Sequence, residues 1–280
     1  MNDVQRVHSL FRGSSELSKR TAQVAAGGEV VATIIAVQGI WHATSSELGI
    51  WRPLLAFGLL VVAALLRGVS DRCNQFGQKC RRLSLHAFAF GTVLHPATVS
   101  GVVADAPFLA VAAGRKLPAQ TLDLYYEPTC EIGEPRFREL VAHSAYFSWR
   151  LMRTCTSTYG LMAAALIVPT CCLIYGLAAL TTTEINRGAV LDGLFSIVLG
   201  AVGLRLMALC FSSATSAGKL HEIADELVRN PLPEGEALRW LVEEYDIDRS
   251  CGPAAPTGLY RLYRTELAKE WSLRRRALTG

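Results

Sequence analysis

The stretch YGLMAAALIVPTCCLIYGLAAL, residues 159–180, decides the fold because its 22 residues carry no charged side chain. A helix needs about 20 predominantly apolar residues to cross the hydrocarbon core of a bilayer. A second apolar run, AVLDGLFSIVLGAVGLRLMALCF at residues 189–211, follows after the short segment TTTEINRG. Two such runs with a short connection predict a transmembrane helical hairpin.

The same arrangement occurs earlier in the chain. The runs VAAGGEVVATIIAVQGIWHAT (residues 24–44) and GIWRPLLAFGLLVVAALL (residues 49–66) are separated only by SSEL, and Trp41 and Trp51 fall at interfacial height. We therefore predict an all-α integral membrane protein with four transmembrane helices in two hairpins and a mostly helical cytosolic domain.

The amino-acid composition predicts that this chain has a lipid bilayer as a partner. The mean hydropathy is +0.27 and only 19% of the residues are charged, which is too apolar for an ordinary soluble protein of 280 residues. The net charge of +4 is mild and the basic residues are scattered, so no nucleic acid polymer is expected as a partner.

The distribution of basic residues predicts the orientation. The two short loops and their edges hold only Arg52 and Arg187, against four basic residues in the N-terminal segment, eleven between the hairpins and ten after the last span. By the positive-inside rule both loops face outward and both termini are cytoplasmic. The predicted division is a cytosolic N-terminal helix (1–23), the first hairpin (24–66), a cytosolic helical segment (67–158), the second hairpin (159–211) and a cytosolic helical tail (212–280).

The middle of the chain leaves one alternative open. Residues 83–114 are largely apolar, and Asp105 is their one Asp, Glu, Lys or Arg. One alternative is therefore a fifth or re-entrant membrane segment. His95-Pro96, Gly101 and the Asp105-Pro107 step break the run into pieces shorter than a span, which favours buried cytosolic helices. Further on, the start Gly133-Pro135 introduces a helical pattern that should run directly into the third span.

No catalytic or metal-binding pattern stands out. The sequence lacks a nucleophile elbow, a phosphate-binding glycine loop and a zinc-protease motif, so we predict that the protein is not an enzyme and has no cofactor. The six histidines are not closely paired and the eight cysteines have no CxxC spacing, so we predict no metal site and no disulfide framework.

The fourth span carries the candidate pore or helix-contact residues. Gly193, Ser196, Gly200 and Gly203 fall within about an 80° arc of an ideal helix. Small residues on one face permit close helix approach, either to the third span or to another subunit, or they line a pore.

Two charged residues on the fourth span are candidates as well. Asp192 lies near the outer end, beside the small-residue arc, and Arg205 follows thirteen positions later, about 20 Å along the axis, so the two cannot pair. A charge at membrane depth marks a functional site by default. The alternatives are an end-of-helix carboxylate for Asp192 and a headgroup anchor for Arg205.

Several short motifs resemble one family. The segments are LSKRTAQ ahead of the first hairpin, LDLYYEP in the middle segment, FSWRLMR leading into the third span, and GLYRLYR in the tail. In this order, with the 2+2 span layout, the chain resembles the four-transmembrane pore-forming effectors associated with bacterial cyclic-oligonucleotide antiphage systems. It departs from that family where a Gln-Arg-x-Asn pattern is replaced by AHSA, residues 142–145.

The resemblance implies a homo-oligomeric effector of the bacterial inner membrane. Such a protein is silent until a cyclic oligonucleotide or a partner protein triggers it, and then it permeabilises the membrane. A constitutive channel or transporter subunit and a membrane-anchored scaffold are the alternatives. The family supplies no catalytic residues.

Overall fold

Long helices dominate the computed structural model, which describes residues 3–41, 51–116, 128–180, 187–229, 232–253 and 257–279. The described part is all helical, with no strand, and about 90% of it is helix. Its helices are α1 (Asp3–Trp41), α2 (Trp51–Phe90), α3 (Pro96–Ala104), α4 (Phe108–Lys116), α5 (Glu134–Leu180), α6 (Arg187–Glu226), α7 (Gly235–Cys251) and α8 (Thr257–Thr279).

Four of these helices, α1, α2, α5 and α6, are long and apolar enough to cross a membrane. The prediction of an all-helical chain with four candidate spans is thus confirmed. The helix predicted to begin near Gly133 and to run into the third span is also confirmed, because α5 is continuous from Glu134 to Leu180. The hairpin connections SSEL and 181–186 and the Tyr125-Tyr126 pair lie outside the described residues.

The helices divide between two compact units. The apolar unit comprises residues 21–69 and 155–211, and the polar unit comprises residues 1–20, 70–154 and 212–280. Each of the four long helices contributes residues to both units. The five-part division made from the sequence stays a prediction.

The apolar unit has large hydrophobic side chains on its outside. Examples are Leu65 (67% exposed), Leu161 (75%) and Ile197 (65%). A water-soluble unit would bury such side chains, whereas a lipid-facing surface exposes them. Its interior is built mostly from small residues, with Ala32, Ala36 and Ala56 packed around Phe195, Val198 and Leu199.

Helix α6 is the most enclosed of the four apolar segments. About 39% of its most apolar window is buried, against 17–22% for the other three. Besides its contact with α1 and α2, it packs Val202 and Leu206 against Ala163 and Ile167 of α5. Helix α6 therefore contacts the other three long helices within the apolar unit.

The polar unit has a conventional hydrophobic core. Parts of α2, α5, α6, α7 and α8 enclose it, and its most deeply buried large side chains are Leu140, Met152, Leu220, Ile223 and Leu227. Helix α8 enters this core with Leu267 and Trp271, each 3% exposed. A helix with eight charged residues among its 23 is thus fixed by a narrow apolar stripe.

Ion pairs tie α8 to its neighbours in the polar unit. Glu270 accepts hydrogen bonds from the Tyr146 hydroxyl (2.5 Å) and from Arg150 (2.7 Å), and the Tyr146 hydrogen bond holds the pKa of the Glu270 carboxyl below its usual value. Arg274 pairs with Asp225, and Arg275 lies 3.3 Å from the buried Glu139 carboxylate. These two arginines near the end of α8 therefore have carboxylate partners within the chain.

Candidate functional site

The most unusual feature of the apolar unit is a cluster of three charged side chains, Glu29, Arg67 and Arg205. They come from α1, α2 and α6, whose other buried residues within the apolar unit are small or apolar. Because charges are costly at membrane depth, such residues are rare there and usually serve ion paths, relays or gates.

The Glu29 carboxylate is the centre of the cluster. Its side chain is only 9% exposed, and Arg67 binds it with two nitrogens: Nη2 lies 2.5 Å from Oε2 and Nε lies 3.1 Å from Oε1. The Nη1 group of Arg205 donates to Oε1 of the same carboxylate. One buried carboxylate thus receives donors from two arginines.

The local sequence explains how the three residues meet. Glu29 lies five residues inside the apolar run that begins at Val24, and Arg67 directly follows the run that ends at Leu66. Next to Glu29, Gly28 and Ala32 leave the α1 surface without large side chains. A Cβ atom on Gly28 would lie 3.8 Å from the Ala63 Cβ of α2. The small surface brings the backbones close enough for the arginines to reach the carboxylate.

The arginines are less enclosed than their partner. The Arg67 and Arg205 side chains are 20% and 31% exposed. Two guanidinium groups against one carboxylate give the cluster a formal net charge of +1. The cluster is therefore a cationic point within otherwise apolar helices.

The structure changes the interpretation of Arg205. The sequence offered Arg205 as a pore or helix-contact candidate with a headgroup anchor as the alternative, and the structure pairs it with Glu29 of α1. Glu29 itself was not among the residues predicted as sites. Its signal in the sequence is a lone carboxylate inside an apolar run, which is the same signal that marks Asp192.

The small-residue arc is split by its surroundings. A Cβ atom on Gly203 would lie 2.6 Å from Cγ1 of Ile167, so this glycine lets α5 approach α6 within the chain. A Cβ atom on Gly200 would meet none of the described residues within 4 Å. Ser196 is buried (2% exposed), and its hydroxyl has no hydrogen-bond partner among the described residues. The backbones of Asp192 and Gly193 lie in α6, and the Asp192 side chain is outside the described part.

Leucine substitutions should separate these two glycines. Gly203→Leu is expected to be less stable than Gly200→Leu by about 1–3 kcal/mol, because only the former forces a side chain into occupied space. Both changes replace glycine within one helix, so the gain in helix propensity cancels in the comparison. Thermal unfolding of the detergent-solubilised variants, followed by circular dichroism, measures the difference. Equal melting temperatures would contradict the close approach of Ile167.

Comparison with known proteins adds no constraint on this site. No family model matches the chain, and neither curated proteins nor solved structures gave a significant match. Within the described ranges, no group of three His, Cys, Asp or Glu side chains is placed to hold a metal ion.

Proposed function

We propose that this protein is an oligomeric effector of the bacterial inner membrane that permeabilises the bilayer when a nucleotide second messenger or a partner protein triggers it. The observation that carries this proposal is the Glu29–Arg67–Arg205 cluster in the apolar unit. An anchor would need no charges among its apolar helices, and placing them there is costly. A gate uses such charges, because an ion pair can hold helices together in one state and separate in another.

The proposal includes assembly of several copies. Four helices packed around small residues enclose no aqueous path by themselves, so a pore would require several subunits. Gly200 supports this step, because it lies on α6 with open space in front of it while Gly203 is already occupied by Ile167. Small residues of this kind allow two transmembrane helices to approach closely.

In the proposed topology the four spans form two hairpins, with both termini and the polar unit in the cytoplasm. The support is the excess of basic residues outside the two short connections. We expect an impermeant thiol reagent to label Ser46→Cys and Asn186→Cys from the periplasm of intact cells. Lys79→Cys, at a side chain that is 48% exposed, should react only after the inner membrane is opened. Labelling of position 79 in intact cells would contradict this orientation.

Dye release tests the function directly. The full chain is reconstituted into vesicles of phosphatidylethanolamine and phosphatidylglycerol loaded with a small dye, and a panel of cyclic di- and trinucleotides is added. We expect release only with a matching nucleotide. Release without any nucleotide would favour a constitutive channel. No dye release with any nucleotide of the panel, together with an intact inner membrane in infected cells, would favour a scaffold.

Asp192 provides a prediction about selectivity. If α6 lines the path, one Asp192 per subunit repeats around its outer mouth, and a ring of carboxylates favours cations. Asp192→Asn should therefore reduce the cation preference while expression and assembly persist. Reversal potentials of the activated protein under a salt gradient measure this preference. An unchanged value would make Asp192 an ordinary helix-end carboxylate.

A further inference from the structure

The two short helices α3 and α4 form an apolar element within the polar unit. They are nine residues each and meet at an angle of 113° around Asp105–Pro107. Neither is long enough to cross a membrane, but the pair taken together is as apolar as a broken span or a re-entrant loop. The prediction of pieces shorter than a span is confirmed, although Gly101 lies inside α3 and interrupts nothing.

One side of the pair is firmly attached to the rest of the polar unit. Val99 and Val102 are buried against Val7, Leu10 and Cys80. The α4 backbone also touches α1, since a Cβ atom on Gly13 would lie 2.2 Å from the Ala110 carbonyl oxygen and 2.6 Å from the Gly114 nitrogen. The pair is thus held in place, and only its other side is available to an external partner.

The available side presents large apolar groups. Phe108 is 84% exposed and Leu109 is 59% exposed at the start of α4. Asp105, the one Asp, Glu, Lys or Arg among residues 92–114, lies 3.0 Å from the Lys79 ammonium group. The opposite charge of Lys79 lowers the cost of moving this edge out of water.

Hydrogen bonds within the chain fix the start of α3 and the bend. At the start of α3, Pro96 has no N–H and the Ala97 N–H donates to Nδ1 of His95 (3.2 Å). At the bend, three backbone N–H groups donate to backbone carbonyl oxygens: Asp105 to Gly101 (3.0 Å), Ala106 to Val103 (3.3 Å) and Ala110 to Pro107 (2.8 Å).

The composition of the pair is what favours lipid as its surrounding. The two helices together are apolar enough to pass as membrane segments, and Asp105 is the one Asp, Glu, Lys or Arg among residues 92–114.

We propose that the α3–α4 pair is a lipid-binding element that inserts its Phe108–Leu109 edge into the interface of the bilayer without crossing it. The partner is the bilayer surface. Interfacial helices place their apolar face about 5–10 Å into the boundary between headgroups and acyl chains. The proposal needs a bilayer but no pore, so it stands or falls separately from the proposed function.

Quenching by brominated lipids tests this insertion in the full-length protein. A version with its eight cysteines replaced receives Leu109→Cys, is labelled with an environment-sensitive fluorophore, and is reconstituted in phosphatidylcholine and phosphatidylglycerol vesicles. Matched labels at Ile247→Cys (64% exposed, α7) and Leu161→Cys (75% exposed, α5) serve as polar-unit and apolar-unit controls. We expect quenching at 109 at least about twofold stronger than at 247, because an interfacial side chain lies within the acyl boundary.

A charge at the edge provides the second measurement. Phe108→Asp should remove most of the quenching at 109 while leaving that at 161 unchanged. The label at 161 also verifies that each variant has folded and inserted, and Phe108→Cys replaces Leu109→Cys if the latter fails this check.

Three results would overturn the proposal. Equal quenching at 109 and 247 would show that the edge faces water. Disulfide formation between two copies at position 109, with no quenching by lipid, would assign the edge to a subunit contact. Reaction of Thr98→Cys with an impermeant reagent on the side opposite to Lys79→Cys would show that the element crosses the membrane.

Discussion

Glu29→Gln is expected to lower the free energy of unfolding by about 3–5 kcal/mol, because removing one member of a buried ion pair leaves the other members unpaired. Here two arginines lose the same partner. The amide of Gln can still accept one hydrogen bond, but it carries no charge to offset Arg67 and Arg205. Chemical unfolding in detergent micelles, followed by circular dichroism, measures the loss.

A second ion pair on the same helix is the matched control. Glu16 pairs with Arg20 at 2.9 Å, but the Arg20 side chain is 71% exposed. Exposed pairs of this spacing contribute only about 0–1 kcal/mol, so Glu16→Gln should have little effect. Equal effects of Glu16→Gln and Glu29→Gln would contradict the burial of the cluster.

A double-mutant cycle isolates the interaction itself. In an Arg67→Gln background, Glu29→Gln removes a carboxylate that has already lost its bidentate partner. Its cost should therefore fall, and the difference between the two backgrounds is the coupling free energy. Additive effects would show that Glu29 and Arg67 contribute independently.

The same variant connects stability to the proposed function. If the cluster holds the resting state closed, vesicles containing Glu29→Gln should release dye without nucleotide, while Glu16→Gln should remain tight. Loss of stability without release would make the cluster a structural device and would remove the main support for gating.

Trp271→Ala is the second substitution with a large expected effect, about 3–5 kcal/mol of destabilisation. Trp271 is 3% exposed. The centroid of its ring lies 4.9 Å from that of the His143 ring and 6.0 Å from that of the Tyr146 ring. Its indole N–H has no hydrogen-bond partner among the described residues, so the loss is one of packing. The cavity would lie where α8 meets the core of the polar unit.

Trp240→Ala is the control for this change. It removes the same side chain from α7 at a position that is 63% exposed, so the effect should stay within about 0.5 kcal/mol. Chemical unfolding provides both values, and limited proteolysis should show α8 released first in Trp271→Ala. If both tryptophans tolerate alanine equally, α8 is not anchored as described.

The sequence alone predicted the number and type of the long helices. Uninterrupted apolar runs such as residues 159–180 are a local property, and their length relative to a bilayer needs no knowledge of neighbours. The start of α5 at Glu134 was equally local, because Gly133 and Pro135 mark a helix start in any context. Even Pro169 did not end the helix, which continues to Leu180.

The partners of individual side chains depended on the tertiary structure. Gly200 and Gly203 belong to the same arc in the sequence, yet only the position of Ile167 makes one of them a contact within the chain. The separation of 38 positions between Glu29 and Arg67, and of 176 between Glu29 and Arg205, carries no sequence period that would connect them. Helix periodicity says which residues share a face, but only the packing of α1, α2 and α6 decides which faces meet, and that packing made a charge cluster from three residues distant in the chain.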